Sequence, residues 1–231
     1  MTAIPTAADV AALARHLEYH SPVLVLTGAG ISTASGIPDY RDADGRWKHR
    51  QPVQYADFVR SHAVRQRYWA RSMIGWPRVH RSEPNPGHLA LGRLERAGLV
   101  TRLVTQNVDG LHQKAGSRDA LDLHGRLDAV VCLSCGHRQP RGRLQRTLAA
   151  RNPDFAALTA ETAPDGDAAL SEIGFEPFQV PDCGRCGGVL KPDVVFFGEN
   201  VPRTRVQQAL DQLSASGTLL VVGSSLMVYS G

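Results

Sequence analysis

Apolar and polar positions change period along this chain, and the changes alternate helix with strand. Over residues 6–18 the apolar positions Val10, Leu13 and Leu17 recur at the spacing of one helix face, and Thr6 with Asp9 three residues on offers an N-terminal cap. Pro22 closes that segment. Val23-Leu24-Val25-Leu26 is then a continuous apolar run, the mark of a strand buried on both faces. Residues 55–76 return to helical spacing and are rich in aromatic side chains. Asn85-Pro86 places a capping side chain and a first-turn proline at the start of another helix, which Gly98 ends. Residues 99–105 read as a second strand, running into Gln106-Asn107-Val108-Asp109-Gly110. Leu121-Asp122-Leu123-His124-Gly125 is a short strand that closes on a glycine, and residues 127–132 form another. Residues 151–179 read as loop, with Pro153, Pro164, Asp165-Gly166 and Pro177. A strand at 194–197, a helix within 201–213 and a buried strand at 218–222 follow, the last ending in Gly223-Ser224-Ser225. Strands alternating with helices predict an α/β fold, a Rossmann-like, doubly wound and mostly parallel sheet that binds ligands just beyond its strand ends.

Composition narrows the function classes. The 231 residues are enough to bury a substantial core, and 42% hydrophobic with 21% charged residues is globular composition. No apolar run approaches the roughly 20 residues of a membrane span. Residues 1–20 lack a basic stretch followed by an apolar one and carry Asp9 and Glu18, so no targeting peptide and a cytoplasmic location are expected. The net charge of +4 comes mostly from arginine spread along the chain. No basic block with interleaved aromatics predicts a specific nucleic-acid partner, while anionic ligands suit the charge.

The four cysteines form two CxxC pairs, Cys132 with Cys135 and Cys183 with Cys186, each followed by a glycine. Four thiolates suffice for one tetrahedral zinc ion with no position left open for catalysis. The intervening stretch of about 47 residues is longer than in compact zinc ribbons. Two disulfides fit poorly in a chain without a secretion signal, and a redox dithiol has no need of a duplicate. Structural zinc is therefore the expectation.

After the first strand, "LTGAGISTASGIPDYRD" departs from the dinucleotide fingerprint. Gly28 and Gly30 fill its first two glycine positions, Thr33 fills the third, and Gly36-Ile37-Pro38-Asp39-Tyr40-Arg41 interrupts the helix that should continue. Polar clusters at 28–41, 106–109 and 223–225, with His124, all fall just beyond strands. Singly, each has a plain explanation: a tight turn, a helix cap from Asn107 or Asp109, a structural histidine. Together they converge on one ligand-binding edge.

"GAGISTASGIPDYRD", "TQNVDGLHQKAG", "LHG", the paired CxxC knuckles, "LKPDVVFFGEN" and "VVGSSLMVYSG" stand in the order found in the sirtuins, the NAD-dependent protein deacylases, and the chain from Val23 onward resembles that family. "RQRYWARSMIGW", "SEPNPGH" and "APDGD" are similar to its class II branch, which includes a mitochondrial lipoamidase-type member. The resemblance implies three parts: residues 1–48, 99–128 and 190–231 as the Rossmann-like NAD-binding domain, 49–98 as cofactor loop and helical insert, and 129–189 as zinc-binding module. It implies that NAD is a substrate to be broken, with its pyrophosphate at backbone N–H groups near Gly28 and Gly30 and a loop, steadied by Asp39 and Arg41, folding over the nicotinamide ribose. Ala29 and Ser32 would border the nicotinamide. Gln106 would contact the ribose, Asn107 would order the ribose and a water, and Val108 and Asp109 would bind the carboxamide. Gly223, Ser224 and Ser225 would hold the adenine-side ribose and phosphate. His124 matches the general base that promotes acyl transfer from lysine to ADP-ribose.

The acyl-lysine peptide is expected to pair beside Val194-Val195-Phe196-Phe197-Gly198-Glu199, with Val195, Phe196 and Gly198 at the acyl-lysine tunnel. Val194 to Phe197 also reads as core strand, and alternate side chains allow both. Tyr68 and Arg71 stand one helical turn apart, as in sirtuins that remove acidic acyl groups, or are a packing tyrosine beside a surface arginine. Sirtuins of this kind continue past the Ser230-Gly231 at which this chain stops, with strands that finish the adenine pocket. Alternatives to a deacylase are a mono-ADP-ribosyltransferase using the same nicotinamide release, or a non-catalytic NAD-binding module.

Overall fold

The computed structural model describes residues 5–40, 46, 48, 52–158 and 174–231, and two sheets organise them. Four parallel strands lie in the order β3 (Ala120–Asp122), β2 (Val100–Thr105), β1 (Val23–Thr27) and β7 (Thr218–Val222). Three antiparallel strands form the second sheet, in the order β5 (Arg138–Pro140), β4 (Gly125–Cys132) and β6 (Leu190–Val194).

Every residue of β1 is buried, as its unbroken apolar run requires. Val23 and Val25 face Leu17 of α1 (Ala7–Tyr19) and Leu91 of α4 (Pro86–Arg96). Leu24 and Leu26 turn the other way, to Val104, Leu121 and Leu123, with Ala209 of α8 (Arg203–Ser214) packed against them. Helices thus cover both faces of the parallel sheet, which is the doubly wound arrangement.

Local signals set the helix ends. Thr6 and Asp9 form a reciprocal capping box at α1. Only Leu17 of the expected apolar face is buried, while Val10 and Leu13 are 58% and 50% exposed, because α1 meets the core through its last turns. Asn85 caps α4, whose chain then leaves through Gly98 at φ +75°. The helical stretch expected at 55–76 is two helices, α2 (Tyr55–Arg60) and α3 (His62–Arg81), broken at Ser61, whose hydroxyl accepts the Val64 N–H at 3.3 Å.

The apolar side of α3, including Tyr68, Trp69, Met73 and Trp76, belongs to the same core as Phe58, Val130, Leu190 and Phe196. Leu144 and Leu148 of α6 (Arg141–Arg151) close that core. Arg141 is buried there, its guanidinium 5.5 and 4.8 Å from the Trp69 and Trp76 ring centres. Two single-turn helices, α5 (Leu111–Lys114) and α7 (Pro153–Ala156), complete the described elements, the latter inside a stretch expected to be loop. Pro164 and Asp165-Gly166 of that stretch lie outside the described residues.

The strand expected at 194–197 is found at 190–194 instead. It contains Pro192, which a strand tolerates here because β6 is an edge with β4 as its neighbour. Among the described residues, no helix is long and apolar enough to cross a membrane.

Candidate active site and cysteine cluster

Parallel strands put their C-terminal ends on one edge, so the turns after β1, β2, β3 and β7 meet there. Gly28, Gly30 and Gly223 make the closest approach. A Cβ on Gly28 would stand 2.8 Å from the Gly223 carbonyl oxygen, and one on Gly30 would stand 2.9 Å from it. Gly223 adopts φ +63°, and a side chain there would strike the Ile31 nitrogen. The N–H of Gly28 donates to Val222 O at 3.1 Å and that of Gly30 to Gly223 O at 2.8 Å. The amides expected to face a pyrophosphate are therefore engaged by the neighbouring turn, and these glycines act by letting two turns touch backbone to backbone. The interrupted helix expected after them is a 3-10 helix (Ala29–Ser35), ended by Gly36 at φ +80°.

A hydrogen-bonded set joins the first two turns. Ser32, buried, donates to Asp109 Oδ2 at 2.7 Å, and Asn107 Nδ2 donates to Ser32 Oγ and to Gly28 O, each at 3.1 Å. Asp109 Oδ1 accepts the N–H of Leu111, the first residue of α5, at 2.8 Å. Val108 offers its carbonyl to Leu127 N–H at 2.9 Å. Gln106 turns toward the fourth turn, where Ser224 Oγ donates to its Oε1 at 2.6 Å. Ala29 lies half-buried beside this set, and Ser225 is exposed. Asp39 accepts from Lys48 at 2.6 Å, and Arg41 lies outside the described residues.

His124 follows β3. Its Nδ1 is 2.9 Å from the Gln106 carbonyl oxygen, which can only accept, so the proton sits on Nδ1 and Nε2 keeps its lone pair. Nε2 lies 2.8 Å from Ser230 Oγ. Burial, foremost, and then the Arg205 cation hold this imidazole below its ordinary pKa, against the Gln106 carbonyl. The ring is thus neutral and basic at neutral pH.

The segment after β6 is fixed to the same edge. Val195 N–H donates to His124 O at 2.7 Å, and Val195 is half-buried. Phe196 points into the core, 5.1 Å from the Phe58 ring and 5.2 Å from that of Tyr68. Buried Lys191 donates to Glu199 Oε2 at 2.9 Å, and the same oxygen accepts the Phe196 N–H at 2.9 Å. Gly198, at φ +79°, makes the turn between them. Tyr68 is buried among aromatic rings, and Arg71 is half-buried on the same helix.

The cysteines gather at the far end of β4. Their four sulfurs lie within 4.8 Å of one another, with Cys132–Cys186 at 3.6 Å and Cys135–Cys183 at 3.8 Å. A disulfide needs about 2.0 Å, whereas a tetrahedral zinc–thiolate site spaces its sulfurs by about 3.8 Å. The two knuckles are built alike. Gly136 N–H returns to Cys132 O and Gly187 N–H to Cys183 O, both glycines at positive φ. Backbone N–H groups, that of Cys135 foremost, hold the Cys132 thiol below its ordinary pKa. The set fits one structural zinc ion.

His88, His112, Thr27 and Thr105, none of them a candidate from the sequence alone, are buried together behind the Gln106 turn. The signal was present, since His88 and His112 stand inside the quoted motifs "SEPNPGH" and "TQNVDGLHQKAG". Asn85 was read as a helix cap, yet its Nδ2 also donates to Ile31 O at 2.7 Å and so holds the 3-10 helix.

Comparison with known proteins identifies relatives of this chain. The model of a family described as the Sir2 family matches residues 28–230. An NAD-dependent protein deacetylase from Xanthomonas axonopodis pv. citri (strain 306) is 57% identical over 231 residues, covering 100% of this chain and 78% of that protein. The mitochondrial NAD-dependent protein lipoamidase sirtuin-4 of Bos taurus is 52% identical over 222 residues, covering 95% of this chain and 70% of its own length. A solved structure described as Sir2–p53 peptide–NAD+ superposes with a TM-score of 0.75 at 31% identity, covering 94% of this chain and 77% of that one. With the strand-end turns, the knuckles and the matched residues all in accord, the chain belongs to the Sir2 family.

Proposed function

We propose that this chain is an NAD-dependent protein-lysine deacylase, which cleaves NAD to nicotinamide and moves the acyl group from lysine to ADP-ribose as O-acyl-ADP-ribose. The observation that carries the reading is His124: a half-buried neutral imidazole whose Nδ1–H is committed to the Gln106 carbonyl, so that Nε2, 2.8 Å from Ser230 Oγ, is the nitrogen left to act as base at the edge where the strand-end turns meet.

NAD, when bound, supplies the ribose that accepts the acyl group and the nicotinamide that leaves. His124 Nε2 takes the proton of the ribose 2′-hydroxyl. Ser32, Asn107 and Asp109, already bonded to one another, orient the nicotinamide side, with Ala29 and Val108 at its border and Gln106 at the ribose. Gly28 and Gly30 keep the backbone close to the cofactor path, with Asp39 and Arg41 on the covering loop. Gly223, Ser224 and Ser225 hold the adenine side. Val195, Phe196 and Gly198 receive the acyl-lysine peptide, and the Lys191–Glu199 pair keeps that segment in place. Tyr68 and Arg71 favour acidic acyl groups. Cys132, Cys135, Cys183 and Cys186 hold one zinc ion as a staple. The three-part division at residues 1–48, 99–128 and 190–231, then 49–98, then 129–189, goes with this reading. Sulfurs spaced as thiolates suit a reducing compartment, the cytoplasm.

The test is mass spectrometry of NAD with lysine peptides carrying acetyl, glutaryl, methylglutaryl or lipoyl groups. Nicotinamide, free-lysine peptide and O-acyl-ADP-ribose are expected, all lost in His124→Ala. An ADP-ribosylated peptide that keeps its acyl group would instead identify a mono-ADP-ribosyltransferase.

A further inference from the structure

Four buried side chains from four elements line up behind the Gln106 turn. Thr27 ends β1, Thr105 ends β2, His112 lies in α5 and His88 in the first turn of α4, and none is more than 2% exposed. The Thr27 hydroxyl donates to Thr105 Oγ1 at 2.9 Å, which uses its only proton. Its 2.9 Å contact with His112 Nε2 therefore needs the ring to donate. The neutral His112 imidazole carries its proton on Nε2 and keeps a bare lone pair on Nδ1. At the other ring, the Asn85 N–H donates to His88 Nδ1 at 3.4 Å, so the His88 proton is on Nε2.

His88 Nε2 and His112 Nδ1 are buried and, among the described residues, have no hydrogen-bond partner. One is a donor and the other an acceptor, on rings whose centres are 4.8 Å apart. The row also reaches the turn itself. Thr105 Oγ1 accepts the Asn107 N–H at 3.1 Å, and Asp109 Oδ1 accepts the N–H of Leu111, the residue before His112. Burial keeps both rings unprotonated, His112 down to about 3 and His88 in the same direction.

We propose that His112 is a positioning residue for Asn107: the row His112–Thr27–Thr105 fixes the Asn107 main chain at the nicotinamide side of the site. This rests on the deacylase reading above. In His112→Phe, kcat for nicotinamide release falls by about tenfold or more, while KM for the acyl peptide stays within about twofold. His112→Gln, whose amide reaches the Nε2 position, recovers most of the rate. Thr27→Val loses as much as His112→Phe, and the double variant is no slower than the slower single one. Full kcat in folded His112→Phe, or in Thr27→Val should His112→Phe fail to fold, overturns the proposal. Imidazole 15N spectra of the unliganded protein at neutral pH should show both rings as Nε2–H tautomers, and a His112 proton on Nδ1 overturns it as well. A wild type that releases no nicotinamide removes the deacylase reading together with this role, whereas an active wild type with an equally active His112→Phe removes this role alone.

Discussion

His124 Nδ1 lies 2.9 Å from the carbonyl oxygen of Gln106, so the turn proposed to border the ribose also fixes the tautomer of the proposed base. Because burial holds the His124 pKa under its ordinary 6.5, the active neutral form persists into mild acid. The expected kcat/KM profile rises with pH through an apparent pKa below 6.5 and is level near neutrality. His124→Ala should lose about 100-fold or more in rate at every pH, with zinc content and fold retained. An acid limb centred above 7 would contradict the assignment.

The buried histidines make a separate prediction for stability. His112 titrates near 3 in the folded chain and near 6.5 when unfolded, so between those values the unfolded state binds more protons. Stability contributed by the neutral ring is full above 6.5 and is lost as pH falls toward 3, by on the order of 4 kcal/mol at the acid end. Urea unfolding at pH 7.5 and pH 4.5 should show this loss, and His112→Gln should show a smaller difference between the two. Equal pH dependence in both proteins would count against the buried neutral ring.

Elemental analysis is expected to find one zinc ion per chain, lost in Cys186→Ser and on chelation. Without the staple, Tm should fall by roughly 10 °C. Deacylation should fall with it, because β4 runs from Gly125 beside His124 to Cys132. Retained melting behaviour in a zinc-free protein would show that the metal is dispensable.

The glycines separate two physical effects. Gly223→Ala meets both a positive φ and the Ile31 nitrogen, and Gly36→Ala meets a positive φ alone, with no atom of the described residues within 4 Å of its Cβ. The first should cost about 3 kcal/mol or more and abolish NAD binding; the second should cost about 1 kcal/mol and leave binding intact. Denaturant titration and calorimetry with NAD read both.

Arg71→Met is expected to lower kcat/KM for glutaryl-lysine peptides by about tenfold while leaving acetyl-lysine peptides nearly unchanged. Parallel losses for both peptides would give Arg71 a packing role instead.

Much of the fold was readable because its determinants are local. The unbroken run at β1, the Thr6 and Asn85 caps and the glycines after β1 and β7 each announce themselves within a few residues. The slipped strand at 190–194 was not readable in place, since lysine and proline suit a strand only at an edge, and edges are a property of the whole sheet. Helix α6 was hidden for a similar reason: its first residue, Arg141, is buried only because Trp69 and Trp76 from α3 supply the faces it covers. Within the site, motif residues such as His124 and Asn107 stood out by type. The Thr27–Thr105–His112 row did not, because Thr27 lies 78 and 85 positions from its two partners and is an ordinary strand residue until they meet.

The core shared by α3 and the second sheet also governs how the chain must be made. Phe58, Trp69, Trp76 and Val79 emerge early in synthesis, but Leu190, Val194 and Phe196, which complete their packing, come more than a hundred residues later. At about 5–20 residues per second the ribosome needs on the order of 10 s to deliver them. For that interval one side of an aromatic-rich helix has only part of its burial available, and its apolar surface is open to non-native contacts.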